Sequence, residues 1–129
     1  MIIIKAWRHI LAYISLLFYK LIFAGKLYVG KGTTWRKGFS VMIDKNGKVS
    51  IGDNCFFNNY CSINSLDGVS IGDGCIFGEG VKIYDHNHRF SDFSVPLKWG
   101  GVHNRKCNYW KPLLDRQQCC DFKGCEYRR

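Results

Sequence analysis

From Val29 onward, a branched apolar or aromatic residue recurs every six positions: Val29, Trp35 and Val41, then Ile51, Phe57 and Ile63, then Ile71, Phe77 and Ile83. Within a set the step is six; between sets it is ten and then eight. The second and third sets superpose at a shift of 20, laying Gly52 on Gly72, Asp53 on Asp73 and Cys55 on Cys75 as well as the apolar residues. A glycine directly follows the first member of every set (Gly30, Gly52, Gly72). Self-similarity at a fixed period marks a repeat architecture. A step of six fits neither a helix nor a flat strand. It fits a short strand and a turn, three to a coil, one inward side chain per face, with coils stacked by parallel pairing. Gly and Asn supply tight turns because they tolerate positive φ. The two or four residues in excess between sets form a loop leaving a corner. The fold expected is mainly β, a triangular parallel β-helix whose coils are stable only when stacked and capped.

Residues 2–24 follow a different rhythm. They are rich in Ile, Leu, Phe, Tyr and Ala, and Lys5, Arg8/His9, Ala12, Ser15 and Tyr19/Lys20 recur at three-to-four spacing. That is an amphipathic helix with one narrow polar stripe, ended by Gly25. The longest run free of Lys and Arg, His9 to Tyr19, has 11 residues, against the about 20 that span a bilayer. No convincing small-residue cleavage site follows it. Two readings stand: the broad apolar face packs on the domain as a cap, or the helix lies in a membrane interface with its basic groups at headgroup level.

Length and composition fit one domain, and the aromatic content argues against global disorder. Charge changes the picture more. Residues 1–43 hold seven basic groups and no acid, residues 44–104 sum to −2, and residues 105–129 sum to +4. This favours an anionic surface as partner for the N-terminus and argues against nucleic acid on the repeat. The seven Cys include no C-x-x-C pair. Cys55, Cys61 and Cys75 occupy repeat positions, and Cys107, Cys119, Cys120 and Cys125, with His103 nearby, match no zinc spacing. The reading is a reducing, cytoplasmic compartment, with the chain at most peripheral at the inner membrane face.

The hexads Ile71-Gly72-Asp73-Gly74-Cys75 and their counterparts run into Ile83-Tyr84-Asp85-His86-Asn87-His88-Arg89-Phe90. Over roughly Val29 to Pro96, this resembles the hexapeptide-repeat acyltransferases, and within them the sugar and polysaccharide O-acetyltransferases. The resemblance implies a left-handed β-helix, here of about three coils, and acetyl transfer from acetyl-CoA to a sugar hydroxyl in surface-glycan synthesis. It implies a homotrimer with sites between subunits, and no metal. His88 falls where relatives place the general base, with His86 as the orienting or second polar group and Asp85 beside them to hold an imidazole tautomer. Imidazole suits the task because its pKa lies near working pH. Asn58, Asn59 and Tyr60 fall on the preceding coil, where relatives carry an acceptor-binding Asn; the best-matching position reads Tyr60. Phe90, Phe93 and Trp99 lie in a segment resembling the acceptor-closing loop. Each of these residues also has a plainer reading, the histidines as solvated loop groups, Asn58 and Asn59 as turn residues, the aromatics as loop anchors. A different class stays open too: a non-catalytic β-helix module bound to a membrane or partner through its basic helix.

The resemblance calls for further hexads after Pro96, and they are missing from residues 99–129, read as a non-repeat tail after the helix (1–26) and the repeat domain (27–98). Yet Tyr109, Asp115, Asp121 and Tyr127 keep a step of six. Back-translated and shifted by one base from Cys107, the tail permits Val-Ile-Ile-Gly-Asn-x-Cys-Trp-Ile-Gly. The hypothesis is a frameshift between about Leu97 and Lys106, with the coils that make most of the acetyl-CoA groove lost. The coding DNA tests it: a shifted frame full of stops removes the idea.

Overall fold

The computed structural model describes residues 1–88, 101–104 and 107–109, with 87–88, 102–104 and 107–109 described through their strand pairing. Helix α1 (Ile2–Ile22) is followed by β1 (Leu27–Val29), β2 (Thr34–Trp35), β3 (Ser40–Ile43), β4 (Val49–Ile51), β5 (Phe56–Phe57), β6 (Ser62–Ser65), β7 (Val69–Ile71), β8 (Ile76–Phe77) and β9 (Lys82–Tyr84). Beyond these lie β10 (His86–His88), β11 (Val102–Asn104) and β12 (Cys107–Tyr109). Successive strands join three parallel sheets in rotation: β1-β4-β7-β12, β2-β5-β8 and β3-β6-β9. This is a parallel β-helix-like architecture.

The register is the one the period of six requires. Val29 pairs with Ile51 and Ile51 with Ile71, Trp35 with Phe57 and Phe57 with Phe77, Val41 with Ile63 and Ile63 with Ile83. All nine are buried. Stacked rings continue the column, with Phe57 and Phe77 4.6 Å apart and nearly parallel, and Trp35 and Phe39 also 4.6 Å apart. Cys55, Cys61 and Cys75 fill the small inward positions as free buried thiols. Burial pushes the Cys61 thiol up and takes Cys75 from 9.0 to about 11, so neither is a ready nucleophile.

Two of the three corners are closed by the same device. Gly32, Asn54 and Gly74 hold positive φ at one, and Gly38, Tyr60 and Gly80 at the other. Their neighbours explain the Ile-Gly-Asp hexad. A Cβ on Gly52 would run into Gly72 and Asp73 of the next layer, while the Asp73 carboxylate accepts the Asp53 N–H (2.7 Å) and the Asp53 carboxylate accepts the Lys31 N–H (2.8 Å).

Helix α1 covers the open end at β1 and β2. It does so with its narrow stripe: Ala12 is buried, and Leu16 and Tyr19 pack on the core. The Trp35 indole N–H donates to Ser15 Oγ (2.8 Å) and the Tyr19 hydroxyl donates to the Phe39 carbonyl (3.1 Å). Packing of the broad apolar face, one of the two expectations, is therefore not what occurs. The helix is also long and apolar enough, by length and composition, to cross a membrane; the charge-free run of 11 residues had suggested otherwise. Within the stretch read as a non-repeat tail, β12 pairs in parallel with β7, Cys107 opposite Val69 and Tyr109 opposite Ile71. Regular structure thus extends to Tyr109.

Candidate functional site

The third corner, from the third sheet back to the first, is not closed by a repeated turn. Residues 44–48 bridge it first and residues 66–68 next. After β9 the chain leaves altogether, into an antiparallel ribbon that pairs His86 with Asn104, Asn87 with His103 and His88 with Val102. Asp85 sits at the root of this departure.

Asp85 is 3% exposed. It superposes on Ser65 at the shift of 20, so it takes an inward position from which its carboxylate reaches the preceding loop. Oδ2 accepts the Ser65 hydroxyl (2.8 Å) and the N–H groups of Asp67 (2.8 Å) and Gly68 (2.7 Å), while Oδ1 accepts the Leu66 N–H (2.8 Å). Three successive backbone donors make an anion-binding concavity, here filled by the protein's own carboxylate. Burial alone would push the Asp85 carboxyl up. The Leu66 and Asp67 N–H groups, His86 and the Ser65 hydroxyl together hold it below its ordinary value of 3.8, so it is ionised at neutral pH.

His86 follows directly, with Nδ1 3.0 Å from Asp85 Oδ1. An ionised carboxylate at that nitrogen keeps the proton on Nδ1 and leaves Nε2 as the basic nitrogen. The ring is partly exposed and meets Tyr84 edge-on at 5.9 Å. An open groove of about 480 Å³ runs along the first sheet, lined by Lys26, Tyr28, Lys48, Asp67 and Gly68 among others. Asp67 and Gly68, whose N–H groups Asp85 clamps, thus also line the groove.

The other sequence candidates sit elsewhere. Asn58, Asn59 and Tyr60 form the corner entering β6, at the end of the third sheet opposite that from which β9 runs to His86. Parallel strands of three or four residues separate the two ends by roughly 10–13 Å. Asn58 Oδ1 accepts the Asn59 N–H (2.9 Å), a turn role, and contacts Arg36 at 3.4 Å. Tyr60 has φ 60 and its ring lies over Gly38. The structure therefore joins Asp85 to His86 and does not join either to residues 58–60 within one chain. His88 is the last residue of β10 and its imidazole lies outside the described residues, as do Phe90, Phe93 and Trp99. His103, dismissed as a zinc ligand, lies on the ribbon opposite Asn87; nothing in local spacing signals that return. Among the described residues, no group of three or more His, Cys, Asp or Glu could hold a metal ion.

No family model matches this chain, and neither a curated protein nor a solved structure matches it.

Proposed function

We propose that the chain is the acceptor-side portion of an acetyl-CoA-dependent sugar O-acetyltransferase, built as a left-handed β-helix of about three coils with a fourth begun at β12. The observation that carries this reading is the Asp85–His86 pair at the only corner, among the described residues, where the chain leaves the stack. Such a pair supplies what proton abstraction needs: an imidazole oriented by a carboxylate, with its second nitrogen available as base on a partly exposed ring. His88, two residues along β10, is the base by resemblance, and His86 is the imidazole whose environment fits the same task. One of them takes the proton of a sugar hydroxyl. The oxygen attacks the thioester carbonyl, the tetrahedral oxyanion collapses, the C–S bond breaks, and coenzyme A leaves as the thiol with that proton.

Two further observations support it. The separation of residues 58–60 from His86 suits a homotrimer in which a neighbouring copy brings its corner to this one. The β12 register lays the shifted-frame Val-Ile-Ile on Val69-Ser70-Ile71, as a frameshift in an ancestral longer repeat requires. No coenzyme-binding residue is assigned, and turnover should be weak or absent because the coils expected to form that groove are replaced.

The test is acetyl-CoA turnover by the purified chain with a glycan acceptor, beside His86→Ala and His88→Ala. Loss of about 10²–10⁴-fold in kcat in at least one variant is expected. Robust turnover surviving both substitutions removes the mechanism. Deleting residues 1–26 and measuring liposome binding separates this from the second reading, a non-catalytic β-helix module held at a surface by α1.

A further inference from the structure

Helix α1 carries an apolar surface that the fold leaves uncovered. At about 3.6 residues per turn, Lys5, Arg8, His9 and Lys20 fall on the side of Ala12 or on its flanks, toward the strands. The opposite half presents Trp7, Ile10, Ile14, Leu17, Phe18 and Leu21, which are between 51% and 80% exposed. It bears no Lys, Arg, His, Asp or Glu. A soluble monomer rarely shows so long an apolar strip.

We propose that this half of α1 is a bilayer-docking surface, lying in the interface of an anionic membrane. The apolar half enters the acyl boundary, Lys20 sits on its flank at headgroup level, and Lys5 and Arg8, on the strand-facing side, remain in water within the field of the anionic surface. Charge selects the occupant. Residues 1–43 hold seven basic groups and no acid, which anionic headgroups neutralise and a second copy of the same segment cannot. Packing selects the posture. The segment from Ala12 to Phe23 lies against Trp35 and Phe39, and exposed Lys31, Arg36 and Lys37 are their close neighbours. A helix crossing the bilayer in this packing would draw those charges into hydrocarbon. The stack therefore stands with its β1–β2 end toward the lipid, and the Asp85–His86 corner, two strand spacings further or roughly 10 Å, stays in water. This inference does not rest on the acetyltransferase reading.

Flotation of the full chain with vesicles tests it, comparing phosphatidylcholine mixed with phosphatidylglycerol against phosphatidylcholine alone. Binding to the mixed vesicles, weakened by added salt, is the expected result. Trp7→Glu with Ile14→Glu should cost about a hundredfold in partitioning, while circular dichroism and melting stay unchanged because both side chains are exposed. Lys5→Glu with Arg8→Glu should weaken the preference for the mixed vesicles. Three outcomes overturn the proposal: no binding to either vesicle by the folded chain, resistance to alkaline carbonate extraction as a spanning helix shows, or a concentration-dependent dimer that the Trp7→Glu and Ile14→Glu pair dissolves in the absence of lipid.

Discussion

The corner at residues 52–55 and the corner at residues 66–68 are built from the same chain, one strand pair apart, and are held by opposite means. At the first, a missing side chain does the work: Gly52 has no Cβ, so Asp73 of the next layer can approach its backbone and accept a neighbouring N–H. At the second, an added side chain does it: Asp85 reaches across to three N–H groups that no strand pairs. The closed corner repeats because every layer faces the same steric demand. The clamped corner occurs once because it must release the chain into the His86–His88 ribbon. Scaffold and candidate site are thus distinguished by whether the repeat's own geometry or an ionised side chain satisfies the backbone.

The largest effect should come from the interior that both corners enclose. Phe57 is fully buried between Phe77 and Phe39, with ring centroids at 4.6 and 4.9 Å. Phe57→Ala should cost about 3–5 kcal/mol, read by urea denaturation, because the two flanking rings cannot close the gap. A loss under about 1 kcal/mol would mean the column is not the stabilising core.

The clamped corner comes next. Asp85→Asn leaves several buried donors facing an amide that cannot accept them all, a loss of about 3 kcal/mol at neutral pH. The sign with pH follows from the lowered carboxyl. Its stabilisation is complete above the ordinary value of 3.8 and disappears as pH falls through the lower folded value. Asp85→Asn lacks that dependence, so the two proteins should converge in acid. A gap in melting temperature that persists undiminished well below pH 3.8 would show that the carboxylate charge is not what holds the loop.

This contrast also marks what the residues disclosed. The stacking register was legible because each layer repeats one steric solution, so that Ile51 on Ile71 and Phe57 on Phe77 needed only counting. Asp85 was less so. It was read as a partner for an imidazole, and His86 Nδ1 lies 3.0 Å from it, but its clamp on residues 66–68 depends on backbone N–H groups that no residue type advertises. The available signal was its superposition on Ser65, two polar groups in a column that begins with Ile43. The stripe on α1 was found by spacing, yet its direction was not. The Trp35 indole needs an acceptor, and Ser15 supplies it from the polar side, which turns the apolar face outward.

At the closed corners the effects shrink. Gly52→Ala puts a Cβ into backbone and carboxylate of the next layer, and overpacking of this kind costs about 1–3 kcal/mol. Unlike Asp85→Asn, it should leave in place the loss of stability below pH 3.8 that the Asp85 carboxylate confers, since the clash involves no change of charge at Asp85. Denaturation midpoints at the two pH values separate the cases.

The smallest effect is the most discriminating between turn and binding roles at residues 58–60. Tyr60 stands at positive φ where the equivalent layers carry Gly38 and Gly80, a conformation that costs a non-glycine residue roughly 1–2 kcal/mol. Tyr60→Gly relieves that strain, loses the ring resting on Gly38, and frees the unfolded chain, which costs a few tenths of a kcal/mol to about 1 kcal/mol. These terms offset, so stability should move by less than about 1 kcal/mol in either direction. If Tyr60 serves only the turn, any turnover measured for the chain should likewise be unchanged. A rise in KM for the acceptor with an unmoved melting temperature would instead assign the ring to substrate, and would require a neighbouring copy to carry it to the His86 corner.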